Sequence, residues 1–253
     1  MTHFIKPRVD RTDELKLLNR LARGEESSRI VLIRAESGMG KSELLREVKS
    51  QFGKEVLHVF VDFKGGGLNL ADILFNICDT LDWKKFPVLS SAIRNIVQPA
   101  NINITHNILI GQNDIAAALN APDQHTREMR RSEITRAFVT DLRKFKQITL
   151  IFDVFEKCDY YLQAWFSSVF LPAIHRSSKI SVIIAGQIVP EETQMWECKE
   201  IVLGEIAPEH WQEYAEAIGA KVHPEYIHAC CVVLKGKCIN IALAIEEQRG
   251  ASL

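Results

Sequence analysis

The spacing of apolar residues switches between two periods along this chain, and each switch marks an element. Leu15, Leu18 and Leu21 share one face of a helix predicted over 12–23, with Thr12 as its N-cap and Gly24 closing it. Ile30, Val31, Leu32 and Ile33 form an unbroken apolar run that stops at Arg34, followed after a short loop by the helical spacing of Leu44, Leu45 and Val48. Residues 55–63 alternate, with Leu57, Val59, Val61 and Phe63 on one side, and read as a second strand ended by Gly65-Gly66-Gly67. Helices follow over 70–83, on Leu70, Ile73, Leu74, Ile77 and Leu81, and over 87–97.

Residues 101–112 behave differently. Ile102, Ile104, Ile108 and Ile110 fall in one alternating register against asparagines, which predicts an extra strand or hairpin inserted at about 100–120, with a polar face suited to a sheet edge. Pro122-Asp123 then opens a long helix to about Phe145, with Ile134, Ala137, Phe138, Leu142 and Phe145 as its buried stripe. Its arginines, Arg127, Arg130, Arg131 and Arg136, alternate with Glu128 and Glu133 and read as a solvated face. Strands are predicted at 147–153 and 179–186, a short one near 200–203, and a helix at 160–176. Strands alternating with helices call for a parallel sheet covered on both faces. Beyond Pro208 only helical patterns remain, over 209–218, 224–234 and 238–248. The expected division is therefore 1–205 as an α/β core and 206–253 as a small helical subdomain.

Charge and cysteine usage narrow the class. The net charge is −1 and the isoelectric point about 6.7, so no global basic field points to nucleic acid. The six cysteines form no CxxC pair and read as reduced packing residues, zinc spacing being wrong. With no signal-peptide core at the start and no long uncharged apolar run, the expectation is a soluble, cytoplasmic protein that spans no membrane.

The loop after the first strand carries the chemistry. Ala35-Glu36-Ser37-Gly38-Met39-Gly40-Lys41-Ser42 is a P-loop, GxxxxGK[ST], with Ala35 in place of the first glycine. Gly38 and Gly40 let backbone N–H groups, Met39 among them, turn toward phosphate oxygens at a helix N-terminus. Lys41 supplies a mobile charge and Ser42 a hydroxyl for Mg²⁺. Asp153, closing the apolar run at 149–152, supplies the opposing carboxylate in the manner of a Walker B strand. The glutamate usual directly after it is replaced by Val154. Glu156 is then the candidate base, with Asp62 a weaker one. Gln187, just past the fourth strand, is placed to meet a γ-phosphate or water, and Arg176, before that strand, is a candidate arginine finger.

This order of motifs resembles the AAA-related ATPases, most closely the STAND class of signalling NTPases. Val9-Asp10-Arg11-Thr12-Asp13-Glu14-Leu15 is similar to the V-G-R-x-x-E-L motif that lies beside adenine in that family, which implies nucleotide contacts for Val9 and Arg11. Ala185-Gly186-Gln187 stands where the family has A-G-R, and Gly236-Lys237-Cys238 where it has Gly-x-Pro. The resemblance implies an α/β P-loop sheet of order 5-1-4-3-2, ATP with Mg²⁺ as ligands, and a nucleotide-dependent switch with a protein partner or self-association, in a setting such as bacterial defence or stress signalling. Two other readings stay open: a degenerate, non-hydrolysing interaction module, and a P-loop kinase acting on a small acceptor.

Overall fold

The computed structural model describes residues 10–53, 56–97 and 110–251. Five strands, β1 (Ile30–Arg34), β2 (Leu57–Asp62), β3 (Ile148–Asp153), β4 (Ile180–Gly186) and β5 (Lys199–Val202), form one sheet in the order β2-β3-β4-β1-β5. Every pairing is parallel. This is the order 5-1-4-3-2 expected from the sequence, read from the other edge.

Alternation along the strands divides the apolar residues between two layers. Ile30 and Leu32 of β1, Leu150 and Phe152 of β3, and Val182 and Ile184 of β4 face one core. On that side lie α3 (Leu70–Leu81), α4 (Pro87–Val97), α5 (Gln112–Leu119) and α6 (Gln124–Leu142), joined by a run of helical turns after β3. Val31, Ile33, Ile151, Ile183 and Ala185 face the other core, closed by α1 (Thr12–Ala22) and α2 (Lys41–Gln51). With both faces covered, β1, β3 and β4 are apolar almost throughout, and the sheet presents only its carboxyl edge to a ligand.

Two local readings are corrected, and a third falls mostly outside the described residues. Thr12 is the first helical residue of α1 and Arg11 its N-cap, because Asp10 Oδ1 accepts the Thr12 N–H at 3.5 Å. Residues 101–109, which carry most of the proposed extra strand, lie outside the described residues. At its end the chain is helical: Gly111 caps α5, and its N–H donates to Asp114 Oδ2 at 2.8 Å. The segment read as one helix over 160–176 is α7 (Tyr160–Trp165), a π-helical turn (Phe166–Phe170) and α8 (Leu171–His175). Pro172 has no N–H to give the carbonyl four residues earlier, which is where the wider turn sits.

Past β5 the chain forms α9 (Pro208–Ile218), α10 (Pro224–Val233) and α11 (Cys238–Ala251). Trp211, Tyr214, Ile218, Ile227, Ile241 and Ile245 bury one another in a cluster apart from the two sheet layers. The turn between α10 and α11 needs Gly236: its φ is +64°, and a Cβ there would collide with the Glu205 side chain.

Candidate functional site

Parallel strands bring β1, β3 and β4 to the same edge, and the candidate residues follow from what leaves each strand end. After β1 the Ala35 N–H donates to the Gly186 carbonyl on β4 at 3.2 Å, pinning the loop at its root. Gly38 and Gly40 both take φ +88°, the left-handed region that glycine alone enters without cost, and Gly40 is the N-cap of α2. Ala35 is buried with no positive φ, so the missing first glycine costs the loop no strain. The Met39 side chain is buried in the layer beneath, which leaves its backbone as the part facing the loop.

Lys41 is 8 % exposed. Its Nζ donates to the Ala35 carbonyl at 2.6 Å and the Glu36 carbonyl at 2.9 Å. Burial lowers its pKa, opposed by the negative charges of Glu156 and Asp153. Asp153, 3 % exposed, accepts the Ser42 hydroxyl and, at 2.9 Å, the Val154 N–H. Burial raises its pKa; the two hydrogen bonds pull it down, and Asp62 and Glu156 add to the rise. Asp62 is the register partner of Asp153 on β2, exposed, with its carboxylate capping the Lys64 N–H at 2.8 Å. No group of three or more His, Cys, Asp or Glu side chains is set to hold a metal among the described residues. The Ser42–Asp153 pair fits the sparser Mg²⁺ arrangement of a P-loop, where phosphate and water supply the other ligands. A carboxylate buried this deeply is the kind of group such an ion neutralises.

Glu156 and Gln187 meet directly. The Gln187 N–H donates to Glu156 Oε2 at 3.0 Å and its side-chain amide to Oε1 at 3.2 Å. Gly186 makes this possible, since a Cβ there would collide with the Ile188 carbonyl and stand 2.9 Å from Glu156 Oε2.

Arg176 is placed apart. It follows α8 and precedes β4, so it sits at the amino edge, while the P-loop is at the carboxyl edge. The length of β4 separates the two by about 20 Å at ~3.3 Å per residue. Arg11 is a strut: Nη2 donates to the Gly204 carbonyl at 2.7 Å, Nη1 to Glu14 at 3.3 Å, and the guanidinium also bonds the Cys238 thiol. Val9 lies outside the described residues.

The sequence did not single out Lys237 or Ile239 as site residues. The start of α11 rests on the P-loop: the Ile239 N–H donates to the Gly38 carbonyl at 3.3 Å. The Lys237 stem lies 3.5 Å from where a Gly38 Cβ would be, and Cys238 3.9 Å from that of Gly40. The resemblance of Gly236-Lys237-Cys238 to Gly-x-Pro marked the segment, but not the individual side chains that meet the loop.

No protein-family model matches the sequence, and no curated protein does. Solved structures do. A signal transduction ATPase with numerous domains (STAND) protein with a tetratricopeptide repeat sensor, from Pyrococcus horikoshii, superposes over 96 % of this chain with a TM-score of 0.54 at 15 % identity. The Walker-type ATPase of Pyrococcus abyssi matches over 99 % with a TM-score of 0.53 at 12 % identity. The Aeropyrum pernix Orc1 protein, solved with DNA, matches over 98 % with a TM-score of 0.50 at 11 % identity. The fold is that of the P-loop ATPases. The chain spans 30 % of the STAND protein, 72 % of the Walker-type ATPase and 61 % of Orc1. Among the described residues no helix is long and apolar enough to cross a membrane.

Proposed function

We propose that this chain binds ATP with Mg²⁺ and works as a nucleotide-dependent switch of the STAND or AAA-like kind, with slow hydrolysis resetting it. The observation that carries this reading is the convergence of Lys41, the Ser42–Asp153 pair and the Glu156–Gln187 pair on a loop whose two glycines are left-handed. Phosphates would enter at 38–42, drawing Lys41 off the Ala35 and Glu36 carbonyls. Mg²⁺ would be held by Ser42 and Asp153 and would supply charge neutralisation at the phosphates. Glu156, once released from Gln187, orients and deprotonates water, and Gln187 turns to the γ-phosphate. Arg11 would lie toward the base end, and residues 206–251 form the helical unit that moves against the core as the nucleotide changes. A partner protein or a second copy reads that movement.

Binding and turnover of Mg-ATP by wild type, Lys41→Ala and Glu156→Ala test this. Wild type is expected to bind ATP, Lys41→Ala to lose it, and Glu156→Ala to bind normally but turn over at least ~100-fold more slowly. Absence of binding at millimolar ATP overturns the proposal. A second reading, a non-hydrolysing interaction module, is favoured by Val154 standing where the base belongs and by Glu156 being engaged at both oxygens. Binding without turnover selects it.

A further inference from the structure

Val154 adopts φ 60° and ψ 42°, a left-handed conformation in which a branched Cβ crowds the next carbonyl. Among the described residues the other non-glycine positions with positive φ are Asp82 and Lys235, both exposed where one helix ends and the next begins. Val154 instead sits between buried Asp153 and buried Phe155, at the end of β3. Strain at such a position points to function when the surroundings impose it. Here they do. An extended Val154 would carry Glu156 about 10 Å past the sheet edge, at ~3.3 Å per residue. The left-handed turn folds Phe155–Lys157 into a 3₁₀ turn lying back across the edge. It drops the Phe155 ring against Phe166 at 5.1 Å and Phe63 at 6.3 Å, and lands Glu156 on Gln187.

We propose that Val154 is a positioning residue: its strained backbone sets how firmly Glu156 is held on Gln187, and hence how readily that carboxylate is freed to meet water. The hydrolytic consequence rests on the ATPase reading above; the hold itself does not. Both Glu156 oxygens accept hydrogen bonds from Gln187 in the held state, which turns the carboxylate toward Gln187 and away from an incoming water. Burial of Phe155 favours the turn and strain at Val154 opposes it, so relieving the strain shifts the balance toward the held state. Glycine at 154 takes the same backbone without strain and deepens the hold. A left-handed non-glycine residue shifts such an equilibrium by about tenfold.

The hold is read by hydrogen exchange of the Gln187 backbone amide, which donates to Glu156. In Val154→Gly this exchange is expected to slow about tenfold, with ATP kcat falling by a similar factor and KM unchanged. Val154→Ala keeps a Cβ in the left-handed backbone and relieves only the part of the strain that comes from branching, so both values should move less than in Val154→Gly and stay within about threefold of wild type. In a Gln187→Ala background, where the side-chain bond to Glu156 is gone and only the backbone N–H remains, the effect of Val154→Gly on kcat should shrink. Unchanged exchange in Val154→Gly overturns the inference, as do equal effects of Gly and Ala or a kcat loss that persists in full in the Gln187→Ala background. A wild type that binds no ATP overturns the functional reading instead, and the exchange measurement still decides the role of Val154.

Discussion

At Asp153 the proposed role and stability pull in opposite directions. The carboxylate is nearly buried, and burial outweighs the bonds from Ser42 and Val154, so its pKa is raised above the ordinary 3.8. The fold therefore prefers the neutral form. Stability from this group is complete below pH 3.8 and is lost as pH rises through the folded-state pKa. Asparagine has nearly the same shape, still accepts the Val154 N–H, and never ionises. Asp153→Asn should therefore be more stable than wild type at pH 7 without nucleotide or metal, with an advantage that shrinks as the pH falls toward 3.8. Urea unfolding midpoints across that range measure it, and an advantage that grows at low pH contradicts the assignment. Mg-dependent ATP binding by the same variant should be lost, a trade expected where a site is built from destabilised groups.

Legibility at the scale of elements followed the strength of each periodic signal. The β1–loop–α2 junction was readable because an apolar run, two glycines and a helical pattern agree in one short stretch, and the fully apolar strands announced burial on both faces. Helix α5 was missed because it is eight residues long and its buried side is only Ile115 and Ala118, beside an alternating run that resembles a strand. The meeting of Glu156 with Gln187 was not legible either, because it depends on the backbone of Val154 and the missing Cβ of Gly186, neither of which periodicity reports. Candidate residues could be named; their mutual geometry could not. The α10–α11 turn shows the same gap, since the collision that forbids a side chain at 236 comes from Glu205, across the structure. Gly236→Ala meets both that collision and φ +64°, and should cost about 1–3 kcal/mol. Faster amide exchange confined to 224–251, with the sheet protected as before, is the expected pattern. A loss spread evenly over the sheet would mean that the helical cluster has no stability of its own.

For the whole molecule, one of the contacts that link its parts is the Ile239 N–H on the Gly38 carbonyl. One partner belongs to the loop after β1 and the other to the first turn of α11, so any ligand that reshapes the loop acts on the helical cluster, and the reverse holds by linkage. The direction follows from the loop geometry: a bond that holds Gly38 at φ +88° maintains the cradle before phosphate arrives, and preorganisation favours binding. Ile239→Pro isolates this bond. Position 239 is the second residue of α11, where proline fits the helix and the missing N–H removes no intrahelical bond. Its side chain is 61 % exposed, so little packing is lost. Helix content should be unchanged by circular dichroism, while ATP affinity falls about 2- to 10-fold, the value of one net hydrogen bond. Saturating ATP should in turn slow exchange of the Ile239 amide in wild type. Tighter ATP binding by Ile239→Pro would reverse the assignment, making α11 a clamp that opposes the nucleotide rather than a wall that prepares for it.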